Sequence, residues 1–155
     1  METEVRRAGP HDVPEIAALV ASYAKRGELL PRTRGEIALS LDDWVVAVQG
    51  DAVQGCGSLV RYTPTLSEVR SLAVSAGAKQ NGLGLAIGQA LIDEARDRGI
   101  ATLFALTRAT GFFQKLGFEL SLAPRFPEKV WRDCRMCPIL DRCDEVAVVM
   151  YLNGA

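Results

Sequence analysis

Glu68-Val-Arg-Ser-Leu-Ala-Val74, then Ser75-Ala-Gly-Ala-Lys-Gln-Asn81, then Gly82-Leu-Gly-Leu-Ala-Ile-Gly-Gln-Ala-Leu-Ile-Asp-Glu-Ala95, is the stretch on which the fold turns. The first segment reads as a strand that ends at Val74. The second is small and polar, contains a glycine, and reads as a loop. In the third, Leu83, Ile87, Ala90, Leu91 and Ala95 fall on one helical stripe that begins at about Gly82. Arg96, Arg98 and Gly99 supply the helix stop. The first amides of such a helix have no intrahelical acceptors and lie at the positive end of its dipole. Gly82 and Gly84 let a ligand come close to that backbone. A phosphate or pyrophosphate is the natural occupant. The plainer reading is a glycine-rich turn that only packs a helix on a sheet. Neither the dinucleotide pattern G-x-G-x-x-G nor the P-loop pattern G-x-x-x-x-G-K-[ST] is present.

The flanking residues complete an order of elements. Val5 to Ala8 reads as a first strand. Asp12-Val-Pro-Glu15 is a capping pattern with proline in the first turn, and Ile16, Leu19, Val20 and Tyr23 form the stripe of a helix closed by Lys25, Arg26 and Gly27. Glu28 to Arg32 is a loop. Thr33-Arg-Gly-Glu36 is a second capping pattern, for a short helix carrying Ile37 and Leu41. Trp44 to Gln49 and Ala52 to Tyr62 are antiparallel strands joined at Gly50-Asp51. Gly55 and Gly57 around Cys56 predict a bulge or a close backbone approach. Pro64 marks the turn into the strand Leu66 to Val74. Beyond the central helix, Ala101 to Leu106 is a strand, Gly111 to Leu116 a helix stopped by Gly117, and Phe118 resumes a strand. Pro124-Arg-Phe-Pro127 breaks the chain, Glu128 to Cys134 reads as one or two helical turns, Cys134 to Asp144 as irregular, and Glu145 to Leu152 as a last strand. The order β–α–α–β–β–β–α–β–α–β–β describes an α/β protein, a mixed sheet with helices on both faces.

A chain of 155 residues is expected to form one domain with a sizeable core. A net charge of −1 argues against nucleic-acid binding. No apolar run reaches the ~18 residues of a membrane span, and the N-terminal stretch lacks the apolar segment of a signal peptide. The expected location is cytoplasmic. The four cysteines then suggest thiols or a metal site before disulfides.

Lys79-Gln-Asn-Gly82-Leu-Gly84 resembles the (Arg/Gln)-x-x-Gly-x-(Gly/Ala) signature of the GCN5-related N-acetyltransferases (GNAT). Lysine stands at the usual Arg or Gln position, and Asn81 where a second Arg is frequent. The element order is similar to that of this family from about Val5 to Leu152. Leu29-Leu-Pro-Arg32, Gly55-Cys-Gly57, Ser67-Glu-Val-Arg70, Leu103-Phe-Ala-Leu-Thr107, Phe112-Phe-Gln-Lys-Leu-Gly-Phe118 and Pro127-Glu-Lys-Val-Trp131 resemble one branch, the acetyltransferase domain of the N-acetylglutamate synthases. Asp133-Cys-Arg-Met-Cys-Pro138 and Cys143-Asp-Glu145 resemble its short, stand-alone forms. Long forms also carry an amino-acid-kinase-like domain, for which this chain has no room, so inhibition by arginine is not carried over.

The resemblance implies a single N-acetyltransferase domain over residues 1–155 that acetylates a small amino acid. The expected acceptor is the α-amine of L-glutamate, with glutamine the near alternative, at the first step of arginine biosynthesis. It places acetyl-CoA across the end of Leu72-Ala73-Val74 and its pyrophosphate on Lys79, Gln80, Asn81, Gly82, Leu83 and Gly84, with Phe113 also on the cofactor. Glu68 takes the part of general base through a water; the plainer reading is a structural Glu68–Arg70 pair at a strand end. Two carboxylates on the acceptor need cations. Arg32 fits the α-carboxylate through a bidentate guanidinium, against a solvated loop arginine. Lys129, Arg132 and Arg135 compete for the side-chain carboxylate, with Lys129 favoured by its Pro-x-Lys-x-Trp setting, and Arg70 counts among the substrate-side residues. Thr107 serves either as a donor to the substrate or leaving thiolate, or as a turn cap. Many relatives place a Tyr general acid where Phe112 and Phe113 stand here; Tyr23, Tyr62 and Tyr151 match no such position.

Cys56 reads as a small buried residue. Cys134-x2-Cys137-x5-Cys143 offers three thiols; zinc there needs a fourth ligand, from Cys56, Asp133 or His11, and free structural thiols or a disulfide are the alternatives. His11 reads as a surface or capping residue. Two rival functions stay open: another amine acceptor, and a silent acetyl-CoA-binding or redox-sensing module in which the cysteines are the working part. A homodimer is compatible with the sequence.

Overall fold

The computed structural model describes residues 3–121 and 146–152, with the backbone alone at 79–81. Its elements are β1 (Thr3–Arg7), α1 (Val13–Ala24), α2 (Arg34–Leu39), β2 (Trp44–Gln49), β3 (Ala52–Thr63), β4 (Leu66–Val74), α3 (Leu83–Asp97), β5 (Thr102–Thr107), α4 (Thr110–Leu116), β6 (Glu119–Ser121) and β7 (Val146–Tyr151). Short 3-10 turns cover Pro10–Asp12, Leu41–Asp43 and Ala76–Asn81. This is the expected order, with seven strands in a mixed sheet. The residues gather into two compact units, Met1–Val60 with Val69–Arg98, and Arg61–Glu68 with Gly99–Ala155.

In the first unit the strands run in the order β1-β2-β3-β4. β1 and β2 pair antiparallel, as do β2 and β3, whose register slips between Ala47 and Val48. Strand β2 is buried from Trp44 to Val48 because both of its faces are covered. On one face Trp44, Val46, Val48 and Cys56 join Ile16, Val20 and Tyr23 of α1 and Ile37 of α2 in one apolar cluster. On the other, the glycines of β3 admit α3. A Cβ on Gly55 would lie 2.6 Å from Ile87 Cδ1 and 3.2 Å from the Ala73 carbonyl, and one on Gly57 would lie 2.9 Å from Leu91 Cδ1. The close approach expected around Cys56 is therefore present, and so is a bulge in β3: Ala47 pairs with Gly55 and Val48 with Val53, which leaves Gln54 as the extra residue.

Local capping follows the sequence at α2 and departs from it at α1. Thr33 Oγ1 accepts from the Glu36 amide at 3.0 Å, and Glu36 Oε1 accepts from the Thr33 amide at 2.9 Å. Such a reciprocal box contributes about 1 kcal/mol. Leu41 lies beyond α2, in the 3-10 turn, rather than on the helix. Before α1, Asp12 stands at the expected cap with Pro14 in the first turn, but the 3-10 turn Pro10–Asp12 leads straight into the helix, so Asp12 has helical angles (φ −83°, ψ −15°) and makes no cap bond. Its carboxylate turns back instead, accepting from the Gly9 amide at 2.7 Å and from Arg6 Nη1 and Nη2 at 2.8 and 3.2 Å. Burial pushes the Asp12 carboxyl up, but the Arg6 and Gly9 hydrogen bonds and the charge of Arg6 outweigh it, and the group is held below its ordinary value. Arg98, just past α3, donates to Asp43 Oδ1 at 2.7 Å and to Glu94 Oε2 at 2.8 Å, which fixes a cation at a helix C-terminus.

In the second unit the order is β4-β5-β7-β6. Leu66, Ser67 and Glu68 pair in parallel with Thr102, Leu103 and Phe104. β5 and β6 both run antiparallel to β7. Phe104, Ala147 and Val149 form the buried centre of one face, with Tyr62, Leu66 and Leu106 packed against it. Gly117, at φ +106°, ends α4 in the conformation that favours glycine. The Pro124–Pro127 break and the expected helical and irregular segments after it lie outside the described residues, as do Lys129, Arg132, Arg135, Cys134, Cys137 and Cys143.

Candidate active site

The first unit carries the strand end and the turn that the sequence singled out. Ser71 interrupts β4 with φ +58°, the one non-glycine residue at positive φ among the described residues, and it is buried. A left-handed residue inside a strand breaks the alternation of side chains and costs on the order of 1–3 kcal/mol. The backbone around it is held from β3: Ser58 Oγ donates to the Arg70 carbonyl at 3.1 Å and Cys56 Sγ to the Ser71 carbonyl at 3.5 Å. At the strand end Tyr23 Oη donates to the Val74 carbonyl, and the Ser75 amide donates to the Gln54 carbonyl at 2.8 Å. Leu72 and Val74 are half-buried, whereas Ala73 is buried.

Ser75 caps a 3-10 turn, Ala76–Asn81, where an open loop was expected. Gly82 follows at φ +72° and ψ 12°, and α3 begins at Leu83. A Cβ on Gly82 would meet nothing within 4 Å, so the space beside this turn is open. The Ala86 amide bonds to the Gly82 carbonyl at 3.1 Å, and the amides ahead of it are the ones without intrahelical acceptors. No acidic residue stands in the first turn of α3. Positive dipole end, open space and absence of carboxylates together fit a pyrophosphate.

Arg32 also belongs to this unit. The loop that carries it is held at its start by the Glu28 amide on the Tyr23 carbonyl at 3.1 Å. Arg32 Nη1 lies 3.5 Å from Glu36 Oε2, and the side chain is 20 % exposed. Its Nη2 is buried and has no hydrogen-bond partner among the described residues. A distant, half-exposed ion pair contributes little, while a buried guanidinium N–H left unmatched is costly. That combination suits an arginine whose second partner is a ligand.

The second unit holds Glu68 and Thr107. Glu68 is 2 % exposed. Its Oε1 accepts from Tyr62 Oη at 2.8 Å. The Tyr62 ring lies 5.8 Å, centroid to centroid, from that of Phe104, the residue paired with Glu68 across β4 and β5. Thr107 closes β5, and its Oγ1 accepts from the Ala109 amide at 2.8 Å, which is the turn-cap reading; its own hydroxyl proton can still be donated. Phe113 is buried, edge-to-face with Phe112 and Phe118 at 5.2 Å each. Arg70 sits half-buried on β4, in the first unit.

Cys56 is fully buried, and burial pushes its thiol up to about 12, which suits packing and not nucleophilic chemistry. The His11 side chain is exposed beside Asp12. Among the described residues no group of three His, Cys, Asp or Glu side chains could hold a metal, and no helix is long and apolar enough to cross a membrane. Three residues of these settings carry no motif: Tyr62, Ser71 and Tyr23. The positive φ of Ser71 has no counterpart in composition.

A mixed sheet, a strand interrupted at Ser71 and an open, glycine-capped helix start make an α/β fold that can seat a phosphate-bearing ligand at the start of α3. The chain belongs to the Acetyltransferase (GNAT) family, whose sequence profile matches residues 17–118, and it is an acetyl-CoA-dependent N-acetyltransferase of that type. It is 36% identical over 155 residues to an uncharacterized N-acetyltransferase of Chlorobaculum tepidum, covering 97% of each chain. It is 36% identical over 135 residues to an amino-acid acetyltransferase of Mycobacterium tuberculosis, covering 84% of this chain and 77% of that one. Among solved structures, N-acetylglutamate synthase of Neisseria gonorrhoeae, in complex with coenzyme A and N-acetyl-glutamate, superposes with a TM-score of 0.85 at 29% identity. That match covers 98% of this chain and 35% of the other, so the chain spans about a third of the length of that synthase.

Proposed function

We propose that the protein transfers the acetyl group of acetyl-CoA to the α-amine of L-glutamate, the reaction that opens arginine biosynthesis. The observation that carries this reading is Arg32: a buried guanidinium nitrogen without a hydrogen-bond partner among the described residues, on a loop that resembles that of the synthases. A carboxylate is the partner that such a fork fits best. The likeness to amino-acid acetyltransferases and to a synthase solved with coenzyme A and N-acetyl-glutamate supports an amino-acid acceptor.

Each residue then has a task. The amides of Lys79 to Gly84 hold the pyrophosphate, Leu72, Ala73 and Val74 orient the thioester arm, and Phe113 also serves the cofactor. Arg32 holds the α-carboxylate of the acceptor; Lys129, with Arg70 and Arg132, supplies the charge for the side-chain carboxylate. Glu68, through a water, takes a proton from the acceptor ammonium, so that the nitrogen lone pair is free to attack the acetyl carbon. The new N–C bond forms as the C–S bond breaks; the nitrogen gives up its second proton, and the thiolate takes up a proton, with Thr107 as the donor or through solvent. Acetyl transfer thus yields N-acetylglutamate, CoA thiol and one net proton.

A thiol-release assay with acetyl-CoA and each of the twenty amino acids tests the acceptor. Glutamate is expected to give the highest kcat/KM, and a clear preference for a different amine overturns the assignment. Arg32→Lys should raise KM for glutamate by about 10- to 100-fold and leave KM for acetyl-CoA unchanged, because it removes hydrogen bonds made in ground and transition states alike. An unchanged glutamate KM in that variant removes Arg32 from the acceptor site.

A further inference from the structure

We propose that Tyr62 is a positioning residue that holds the Glu68 carboxylate in the orientation from which it accepts the acceptor's proton. This rests on the reading of Glu68 as the general base. A carboxylate at 2 % exposure requires hydrogen-bond donors, because leaving it unmatched inside the protein is costly. Tyr62 Oη supplies one, at 2.8 Å from Oε1. A hydrogen bond to one oxygen of a carboxylate fixes the plane of the group and therefore the direction in which the second oxygen points.

The phenol is itself fixed. Its ring lies against Phe104, which is fully buried and sits in register with Glu68 on the neighbouring strand. Tyr62 and Leu66 pack on the same apolar cluster of Phe104, Ala147 and Val149. The apolar body of the tyrosine is thus part of the core of this unit, and its hydroxyl donates to one carboxylate oxygen. Acid–base transfer depends on placing the base within hydrogen-bond reach of the proton it takes, and small misplacements cost large factors in rate. A tyrosine clamped between two strands is a stiff device for that placement.

The test is a four-variant kinetic cycle of wild type, Tyr62→Phe, Glu68→Gln and the double variant, measured on the full chain with acetyl-CoA and its best amine acceptor. Tyr62→Phe keeps the ring on Phe104 and deletes only the hydroxyl. Glu68→Gln keeps an amide oxygen for Tyr62 to bond, so the fold of this unit is retained. If Tyr62 acts through Glu68, Tyr62→Phe lowers kcat about tenfold with both KM values unchanged. The same substitution then has no further effect in the Glu68→Gln background. A merely structural hydroxyl would move the melting temperature and leave kcat, measured well below it, in place. A tenfold loss in both backgrounds, or no loss in kcat, overturns the role of Tyr62 while the base reading stands. A fully active Glu68→Gln overturns the base reading, and the positioning role with it.

Discussion

Two carboxylates are buried to nearly the same degree, Asp12 at 3 % exposure and Glu68 at 2 %, and the kinds of partner around them differ. Asp12 sits in a turn. Its two oxygens take both ends of the Arg6 fork and the Gly9 amide. Glu68 sits inside a strand, and one of its partners is the phenol of Tyr62, on Oε1. Both bonds span six residues of chain. A guanidinium and a backbone amide stabilise the ionised form of Asp12 and leave it little to do but hold β1 to the start of α1. A phenol orients a carboxylate without neutralising it. Burial alone therefore does not separate the two; the phenol on Oε1 of Glu68 has no counterpart at Asp12.

The largest expected effect is kinetic. Glu68→Gln should lower kcat by ~10²–10⁴-fold, the usual contribution of a positioned base. The loss should narrow at high pH, where more of the acceptor amine is already neutral. Its melting temperature should stay near wild type. A variant that turns over normally across the pH range would place the base elsewhere and make Glu68 a second structural carboxylate.

Asp12→Asn should do the opposite. Removing a charged partner from the Arg6 fork should cost about 1.5–3 kcal/mol of stability and leave kcat unchanged at a temperature well below melting. The sign of its pH dependence follows from the lowered carboxyl of Asp12. A folded-state value below that of the unfolded chain contributes stability that is present above the unfolded value, ~3.9. That contribution is lost as pH falls through the folded value. Denaturant unfolding of both proteins should show a gap that is full at neutral pH and closes in acid. A gap that does not change with pH would mean that the bonds, and not the charge, carry the stability.

The contrast between the two also marks what the sequence makes legible. Local signals read well: the Thr33–Glu36 box, the stops at Gly27 and Gly117, the glycines of β3 that admit α3, and the order of elements all rest on residues within a few positions of each other. Asp12 was a sound capping signal overridden by Pro10, which opened the helical turn earlier. The open glycine-capped turn before α3 is visible because one glycine and one strand end suffice to make it. The partner of Glu68 is not visible in this way, since it depends on which residue of the preceding strand falls alongside, and so on the register set by the Pro64 turn. The left-handed Ser71 is invisible for a related reason: a small polar residue in a strand carries no mark of a conformation that neighbouring strands impose.

The smallest expected effect concerns a third carboxylate, which tests whether donor chemistry or burial decides the outcome. Glu36 is largely exposed, at 52 % of its side chain, yet its carboxyl is held below its ordinary value, first by the Thr33 amide and then, against a small cost of burial, by the Thr33 side chain and Arg32. If donors decide, Glu36→Gln should be felt, but weakly, because solvent screens the charge. The loss of the box should amount to a few tenths of a kcal/mol, since Gln can still accept from the Thr33 amide. The same change removes the competitor that lies 3.5 Å from Arg32 Nη1. An arginine no longer shared with Glu36 has both ends of its fork available to an acceptor carboxylate. KM for glutamate should therefore fall by about twofold at low ionic strength, a gain that fades as salt rises past ~0.15 M, while KM for acetyl-CoA stays in place. A rise in glutamate KM would mean that Glu36 orients Arg32 for the acceptor instead of competing for it, and would place this exposed carboxylate beside Asp12 as a structural one.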